Sequence, residues 1–183
     1  MALINYHCRL LINRQRDCLL HKAIENGHHL LASELIHAYR RTGLERKNEH
    51  GETPLLCAAK QNAQHLIQLL IEKRAEIIYD TDNEMNNVFH HLVKHGNSSA
   101  TIEWLLDYLK TKLIVDVQQN FDKKNNDQLT PLDLAIKLNL VDIVSTLTLK
   151  GQFKSNDEDI LSTKLNEMRL SLSDNVHIGT LES

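Results

Sequence analysis

The chain has 183 residues, of which 42% are hydrophobic, and this is enough for one globular domain or one short repeat array. With 21 Lys and Arg residues against 24 Asp and Glu residues, its formal net charge of −3 excludes the basic footprint typical of nucleic-acid-binding proteins. The longest apolar runs, such as residues 10–12, are far shorter than a membrane span or the core of a secretory signal.

The cysteines indicate a reducing compartment. Cys8, Cys18 and Cys57 are odd in number and show no paired spacing, which favours free thiols. We therefore expect a cytoplasmic or nuclear protein that binds neither nucleic acid nor membranes. Secretion into a host cell by a non-classical route leaves no mark in these counts and stays open as an alternative.

Residues 1–12 precede the first repeating pattern in the chain. Their apolar members are suited to shield the exposed end of a stack of repeats, because terminal repeats need a covering of their own. These apolar residues are Leu3, Ile4, Leu10 and Leu11. We interpret residues 1–12 as an N-terminal cap.

A short motif recurs twice further along the chain. Residues 53–59 are Thr-Pro-Leu-Leu-Cys-Ala-Ala, and residues 130–136 are Thr-Pro-Leu-Asp-Leu-Ala-Ile. Both prolines of the chain lie in this motif, where Thr can cap a helix and Pro can fill the first helical position. Each copy opens a pattern of helix, helix and turn.

Two fainter copies share the same frame. Residues 18–28 and 87–96 lack Thr-Pro but keep a His at the fourth position, His21 and His90. The four copies start at Cys18, Thr53, Asn87 and Thr130. Successive starts are 35, 34 and 43 residues apart, so the last step contains an insertion, which we place around residues 108–124.

This motif and its period resemble those of the ankyrin repeat, whose period is about 33 residues. The resemblance covers residues 13–151. It implies an all-α ankyrin-repeat solenoid of about four helix-turn-helix repeats, with a long insertion between repeats 3 and 4. The repeats are predicted at residues 13–46, 47–79, 80–122 and 123–151.

Apolar spacing predicts the helices inside these repeats. In repeat 1 we expect helices near residues 19–26 and 29–41, and in repeat 3 near residues 88–95 and 98–109. Repeat 4 is expected to have helices near residues 131–138 and 141–149. The buried stripe of the second helix of repeat 1 is predicted to consist of Leu30, Leu31, Leu35 and Ile36.

The C-terminal segment is predicted to contain one more helix. Residues 155–158 form a capping-box pattern ahead of several apolar residues, so we place a capping helix at residues 152–171. The alternative is a partner-binding tail. Residues 172–183 have no strong pattern and are predicted to be a mobile tail.

The resemblance also implies where a partner binds. In ankyrin repeats, the first helix and the preceding hairpin finger form a concave face that binds a protein. Carried over position by position, the predicted partner-binding residues are Glu49, His50, Glu52, Lys60, Gln61, Asn83, Glu84, Asn86, Lys94, His95, Asn126, Asp127, Leu129, Lys137 and Leu138. These positions are predicted to be exposed and mixed in charge.

Four histidines and one cysteine are the candidates for special roles. By the resemblance, His21 and His90 bond to the backbone of the neighbouring loop. His91 and His95 are spaced to share one face of a helix on the concave side, but the sequence places no further ligand beside them, so we predict no metal and no cofactor. Cys57 lies inside a predicted helix, where a packing role is more common than a reactive thiolate.

The function expected from these observations is that of a non-catalytic interaction module or scaffold, monomeric, with one protein partner. No nucleophile, base and orienting group can be proposed together, which argues against an enzyme. Residues 82–90 and 125–132 also resemble repeats of I-kappa-B-type inhibitors of Rel transcription factors. The composition resembles that of bacterial effectors that mimic host ankyrin proteins. These two readings and the enzyme remain as alternatives.

Overall fold

Paired helices make up the part of the chain that the computed structural model describes, which is residues 19–39, 41–95, 99–112, 118–149 and 163. The helices are α1 (Leu19–Glu25), α2 (His29–Ala38), α3 (Arg41–Leu44), α4 (Pro54–Lys60), α5 (Gln64–Lys73), α6 (Val88–His95), α7 (Ser99–Thr111), α8 (Gln118–Phe121), α9 (Pro131–Lys137) and α10 (Val141–Leu149). A 3-10 helix at Ala75–Tyr79 follows α5. These ranges contain no β-strand.

The pairs stack in two layers. Inner helix α1 packs on α4, α4 on α6, and α6 on α9, while outer helix α2 packs on α5 and α7 on α10. Each inner helix also contacts the outer helix of its own pair. The predicted all-α solenoid of four helix pairs is confirmed. Within the described ranges, none of the helices combines the length and the apolar character of a membrane-spanning segment.

One continuous apolar core runs through the stack. It extends from Leu20 in the first pair to Leu147 in the last, and it includes the fully buried Phe89 of α6. Phe121 of the short helix α8 packs edge-to-face against Phe89, with ring centroids 5.2 Å apart. This contact anchors the insertion between repeats 3 and 4 to the core, because edge-to-face aromatic pairs add to the burial of both rings.

The helix starts only partly follow the sequence prediction. Thr130 forms a capping box with Asp133, and Asn87 Oδ1 accepts the His90 backbone N–H at 3.1 Å. Thr53 stands at the N-cap of α4 with Pro54 behind it, but its side chain makes no capping hydrogen bond. The prediction of a Thr53 side-chain cap is therefore wrong, and extended backbone and proline mark this start.

The predicted stripe of α2 is half wrong. Leu35 and Ile36 are buried, but Leu30 is 87% exposed and Leu31 44% exposed. The buried face of α2 consists of Ala32, Leu35 and Ile36, a spacing of three and four residues that leaves Leu30 and Leu31 in the first turn to one side. The helix also ends at Ala38, earlier than predicted, because the next residue is extended.

Other boundaries differ by a few residues. Helix α7 runs two residues beyond its predicted end. The proposed cap (1–12), most of the C-terminal helix (152–171) and the tail (172–183) lie outside the described residues, although Thr163 is helical.

Candidate interaction face

Three loops, here called the fingers, precede inner helices α4, α6 and α9. They are residues 47–53, 81–87 and 124–130. Each uses one Asn or Asp side chain in the same way: its Oδ1 accepts the backbone N–H groups two and four residues ahead. These side chains are Asn48, Asp82 and Asn125. The polar side chain thus satisfies buried backbone donors and fixes the shape of each finger.

The tip of each finger requires a left-handed residue. Gly51, Met85 and Gln128 occupy the same place and have φ angles of 76°, 63° and 62°. Glycine adopts this conformation freely, whereas Met85 and Gln128 each incur a strain of roughly 1–2 kcal/mol. Met85 is also 41% exposed, so an apolar side chain projects from the tip of the second finger. The sequence analysis did not single out Met85, although its alignment with Gly51 places it at the tip of the second finger.

Neighbouring fingers are joined by hydrogen bonds in register. Asn83 donates its backbone N–H to His50 O at 3.0 Å and its side-chain Nδ2 to Glu49 O at 3.0 Å. Asn126 repeats both bonds one finger further on, from its N–H to Glu84 O at 2.9 Å and from Nδ2 to Asn83 O at 3.3 Å. The fingers therefore form a single hydrogen-bonded edge.

Two of the inner helices, α1 and α6, are each linked to the next repeat by a histidine. His21 Nε2 lies 3.0 Å from Glu52 O, and His90 Nε2 lies 3.0 Å from Leu129 O. Both carbonyls belong to the residue just before the next motif. The structural role predicted for His21 and His90 is confirmed. Burial lowers the pKa of His90 to about 4, so this ring is neutral at physiological pH and donates from Nε2.

Glu52 was predicted to be exposed and is only 4% exposed. Its Oε1 accepts from Lys60 Nζ and its Oε2 from Asn48 Nδ2, both at 2.9 Å. Burial raises the pKa of Glu52, but the hydrogen bonds from Asn48 and Lys60 outweigh burial and leave the pKa below its usual value. Glu52 turns inward because these two donors compensate a buried carboxylate.

Asn86 is the second residue whose predicted exposure is wrong. It is 4% exposed because its Nδ2 donates to Asp82 Oδ2 and its Oδ1 accepts from Asn125 Nδ2, each at 3.0 Å. The side chain of Asn86 therefore joins two fingers beneath the surface. It supports the face without forming part of its outer surface.

Cys57 is 1% exposed on α4, and burial raises the pKa of its thiol. This agrees with the packing role predicted for it, since a reactive cysteine needs the thiolate. Ligand atoms of Glu25, Glu52 and Cys57 lie within 4.8 Å of one another. They make a poor metal site, because Lys60 already pairs with Glu52 and the thiol is held protonated.

His91 and His95 do not share the environment predicted for them. His91 is 4% exposed and its Nε2 lies 3.0 Å from Asp82 Oδ2, whereas His95 is exposed and stacks on His91 with centroids 6.0 Å apart. Burial raises the pKa of Asp82, but hydrogen bonds from His91 and Asn86 outweigh it and lower the pKa to about 2. The acidic partner of His91, which the sequence did not place, is thus Asp82 in the second finger.

Most of the other predicted contact residues do lie at the surface. Lys60 and Leu129 are half-buried. The exposed positions are Glu49, His50, Gln61, Asn83, Glu84, Lys94, His95, Asn126, Asp127, Lys137 and Leu138. These residues belong to the fingers or to the inner helices α4, α6 and α9, or they directly follow α4 or α9.

Comparison with known proteins gives a family match and curated relatives, among them a yeast transcription factor. A family model described as ankyrin repeats (three copies) matches residues 2–80. The chain is 25% identical over 190 aligned residues to the transcription factor MBP1 of Saccharomyces cerevisiae, which covers 92% of this chain and 22% of that protein. The chain therefore spans about a fifth of the length of that relative.

Solved structures similar in fold include a chain from a bacterial complex and an ankyrin repeat domain. One chain comes from the complex of a predatory endopeptidase of Bdellovibrio bacteriovorus with an immunity protein, with a TM-score of 0.60, 23% identity, and coverage of 75% of this chain and 66% of that one. The other is the ankyrin repeat domain of Bcl-3, a member of the IkappaB family, with a TM-score of 0.62, 23% identity, and coverage of 74% and 57%. Similarity at this identity shows the fold alone.

Proposed function

We infer that this chain, which is an ankyrin-repeat protein, binds a protein partner on the concave face formed by the fingers and the inner helices α1, α4, α6 and α9. Ankyrin repeats typically serve as interaction modules rather than catalysts. The similarity in fold to the Bcl-3 domain does not identify which protein this chain binds.

The hydrogen-bonded edge of fingers is the observation that carries this proposal. Its backbone is fixed by bonds within each finger and between fingers, such as Asn83 N–H to His50 O. Surface side chains such as those of Glu49 and Asp127 take no part in these bonds and are exposed. A surface fixed before binding loses little conformational entropy when a partner docks.

Charge reversal on the inner helices tests the proposal. We expect a Lys94→Glu, Lys137→Glu double variant to capture roughly tenfold less partner from a cell lysate, because both ammonium groups lie on the proposed face. Lys60 is left unchanged, since a carboxylate there would face the buried Glu52 and disturb the fold. Capture is quantified by mass spectrometry.

The matched control carries the same charge change at the C-terminal end of the outer helix α7, as a Lys110→Glu, Lys112→Glu double variant. It is expected to capture as much partner as the native chain. Equal loss in both double variants, with both folded by circular dichroism, would show that net charge matters and the concave face does not.

A second prediction separates stability from binding at the tip of the second finger. Met85→Gly relieves the left-handed strain, and we expect a gain of up to about 1 kcal/mol in the free energy of unfolding. The same change removes an exposed apolar contact, so partner capture is expected to fall. Thermal melting and capture are measured on the same samples.

Gln128→Gly is the control for this prediction, because it relieves the same strain at the tip of the third finger without removing an apolar side chain. It is expected to gain similar stability and to keep capture. A Met85→Gly variant that captures partner as well as the native chain would remove Met85 from the interface.

A further inference from the structure

We propose that repeat 4 carries a docking site for an acidic segment of the partner that inserts an apolar side chain among three leucines and places its carboxylates against Lys94 and Lys137. This inference rests on the proposed function. It adds the chemistry of the partner and its position on the face.

Equivalent positions in successive repeats carry the argument. We compare the residue just before each motif start with the fourth and eighth residues after it. In repeat 2 these are Glu52, Cys57 and Gln61, in repeat 3 Asn86, His91 and His95, and in repeat 4 Leu129, Leu134 and Leu138. A face that is polar or weakly polar at these positions in repeats 2 and 3 thus becomes wholly aliphatic in repeat 4.

The three positions are neighbours in space. In repeat 2, Cys57 Sγ lies 3.7 Å from Glu52 Oε2, so the first and second positions touch. In repeat 3, the stacked rings of His91 and His95 show that the second and third positions adjoin. The repeats share one architecture, so the three leucines, here called the repeat-4 patch, form one apolar surface.

The repeat-4 patch is partly open to solvent. Leu134 is 9% exposed, Leu129 is half-buried and Leu138 is 45% exposed. A single exposed leucine is ordinary on a protein surface. Here the half-covered Leu138 adjoins the more buried Leu129 and Leu134. Together the three side chains can surround an apolar side chain of a partner.

The lysine side chains of the inner helices are less firmly paired within the chain in repeats 3 and 4 than in repeat 2, so they are more available to a partner. Lys60, Lys94 and Lys137 occupy the same place near the ends of α4, α6 and α9. Lys60 is held by the buried Glu52 at 2.9 Å, whereas Lys94 pairs with Glu84 only at 3.8 Å between exposed side chains. Such an exposed pair is weak and easily exchanged for a partner's carboxylate.

Lys137 completes this gradient. It is exposed and shows no ion pair within the described ranges. Because α6 and α9 pack together, at a distance of roughly 8–10 Å for packed helices, Lys94 and Lys137 can engage carboxylates on either side of one apolar residue. On the finger side of the repeat-4 patch, the exposed Asp127 repels carboxylates of the partner segment. This repulsion orients the segment toward the two lysines.

Synthetic peptides supply the test. The probe is a fluorescein-labelled peptide of three Glu-Leu-Ser-Glu units, measured by fluorescence anisotropy at low and at physiological salt. Two counterparts replace every Glu by Lys, or every Leu by Ser. We expect both counterparts to bind the native chain roughly tenfold more weakly than the probe, and salt to weaken the probe.

Matched variants locate the binding. Leu138→Ser and Lys137→Glu are each expected to weaken the probe roughly fivefold or more. Leu149→Ser is the control for the first, because Leu149 is 82% exposed at the end of the outer helix α10. Lys112→Glu, just after the end of the outer helix α7, is the control for the second. Both controls are expected to bind the probe like the native chain.

Three outcomes overturn this inference: no difference between Leu138→Ser and Leu149→Ser, equal binding of the lysine counterpart, or no binding of the probe. If partner capture still depends on Lys94 and Lys137 in any of these cases, the proposed function stands and only the acidic-apolar chemistry fails. If capture is also independent of the concave face, both fail.

Discussion

Gly51→Ala is expected to destabilise the protein by about 2–5 kcal/mol. The residue has a φ of 76°, where a Cβ atom costs roughly 1–2 kcal/mol. A Cβ there would also lie 2.7 Å from the backbone N of Asn83 in the next finger, and such overpacking adds about 1–3 kcal/mol. Urea denaturation followed by circular dichroism measures the loss.

Gly27→Ala is the matched control for this change. Gly27 has a similar φ of 70°, but an added Cβ would meet nothing within 4 Å. Its substitution is expected to cost the backbone strain alone, about 1–2 kcal/mol. The difference between the two variants therefore measures the contact between fingers. Equal losses would mean that the first and second fingers do not approach each other as the structure has them.

The second large effect is a loss of stability in mild acid. His90 has a folded-state pKa of about 4, below its unfolded value of 6.5, so the unfolded chain binds the extra proton between these values. The contribution of His90 is therefore fully present above pH 6.5 and is lost as the pH falls to about 4. It amounts to about 3 kcal/mol. Asp82, with its pKa of about 2, adds a further loss below pH 4.

Urea denaturation between pH 7 and pH 4 measures this slope. His90→Asn is expected to be less stable at pH 7, because the bond to Leu129 O is lost, but to have a flatter pH dependence between pH 6.5 and 4. The slope is compared rather than the absolute stability, so a destabilised variant still answers the question. An unchanged slope would show that His90 does not stay neutral in the folded state.

The sequence predicted what repeats along the chain. The motif starts at Thr53 and Thr130 located helices α4 and α9, and the recurring fourth-position histidines gave the roles of His21 and His90. These features depend on local chemistry or on a contact made identically in more than one repeat. In a repeat protein, equivalent positions of different repeats can be compared within one sequence, and such features then stand out.

What the sequence did not predict depends on contacts particular to one repeat. The inward turns of Glu52 and Asn86 follow from their donors, and the Asp82–His91 pair joins a finger to a helix nine residues away. The exposure of Leu30 depends on which face of α2 packs against its neighbours, and that face consists of Ala32, Leu35 and Ile36. Helix boundaries and buried polar partners are set by tertiary structure.

Hydrogen exchange on the partner complex tests the central claim most directly. Once a partner has been captured, amide exchange is compared between the free and bound chain. We predict added protection in the fingers and in the inner helices α4, α6 and α9, within residues 47–61, 81–95 and 124–138, and none in the outer helices α2, α5, α7 and α10. Protection confined to the outer helices would contradict docking on the concave face.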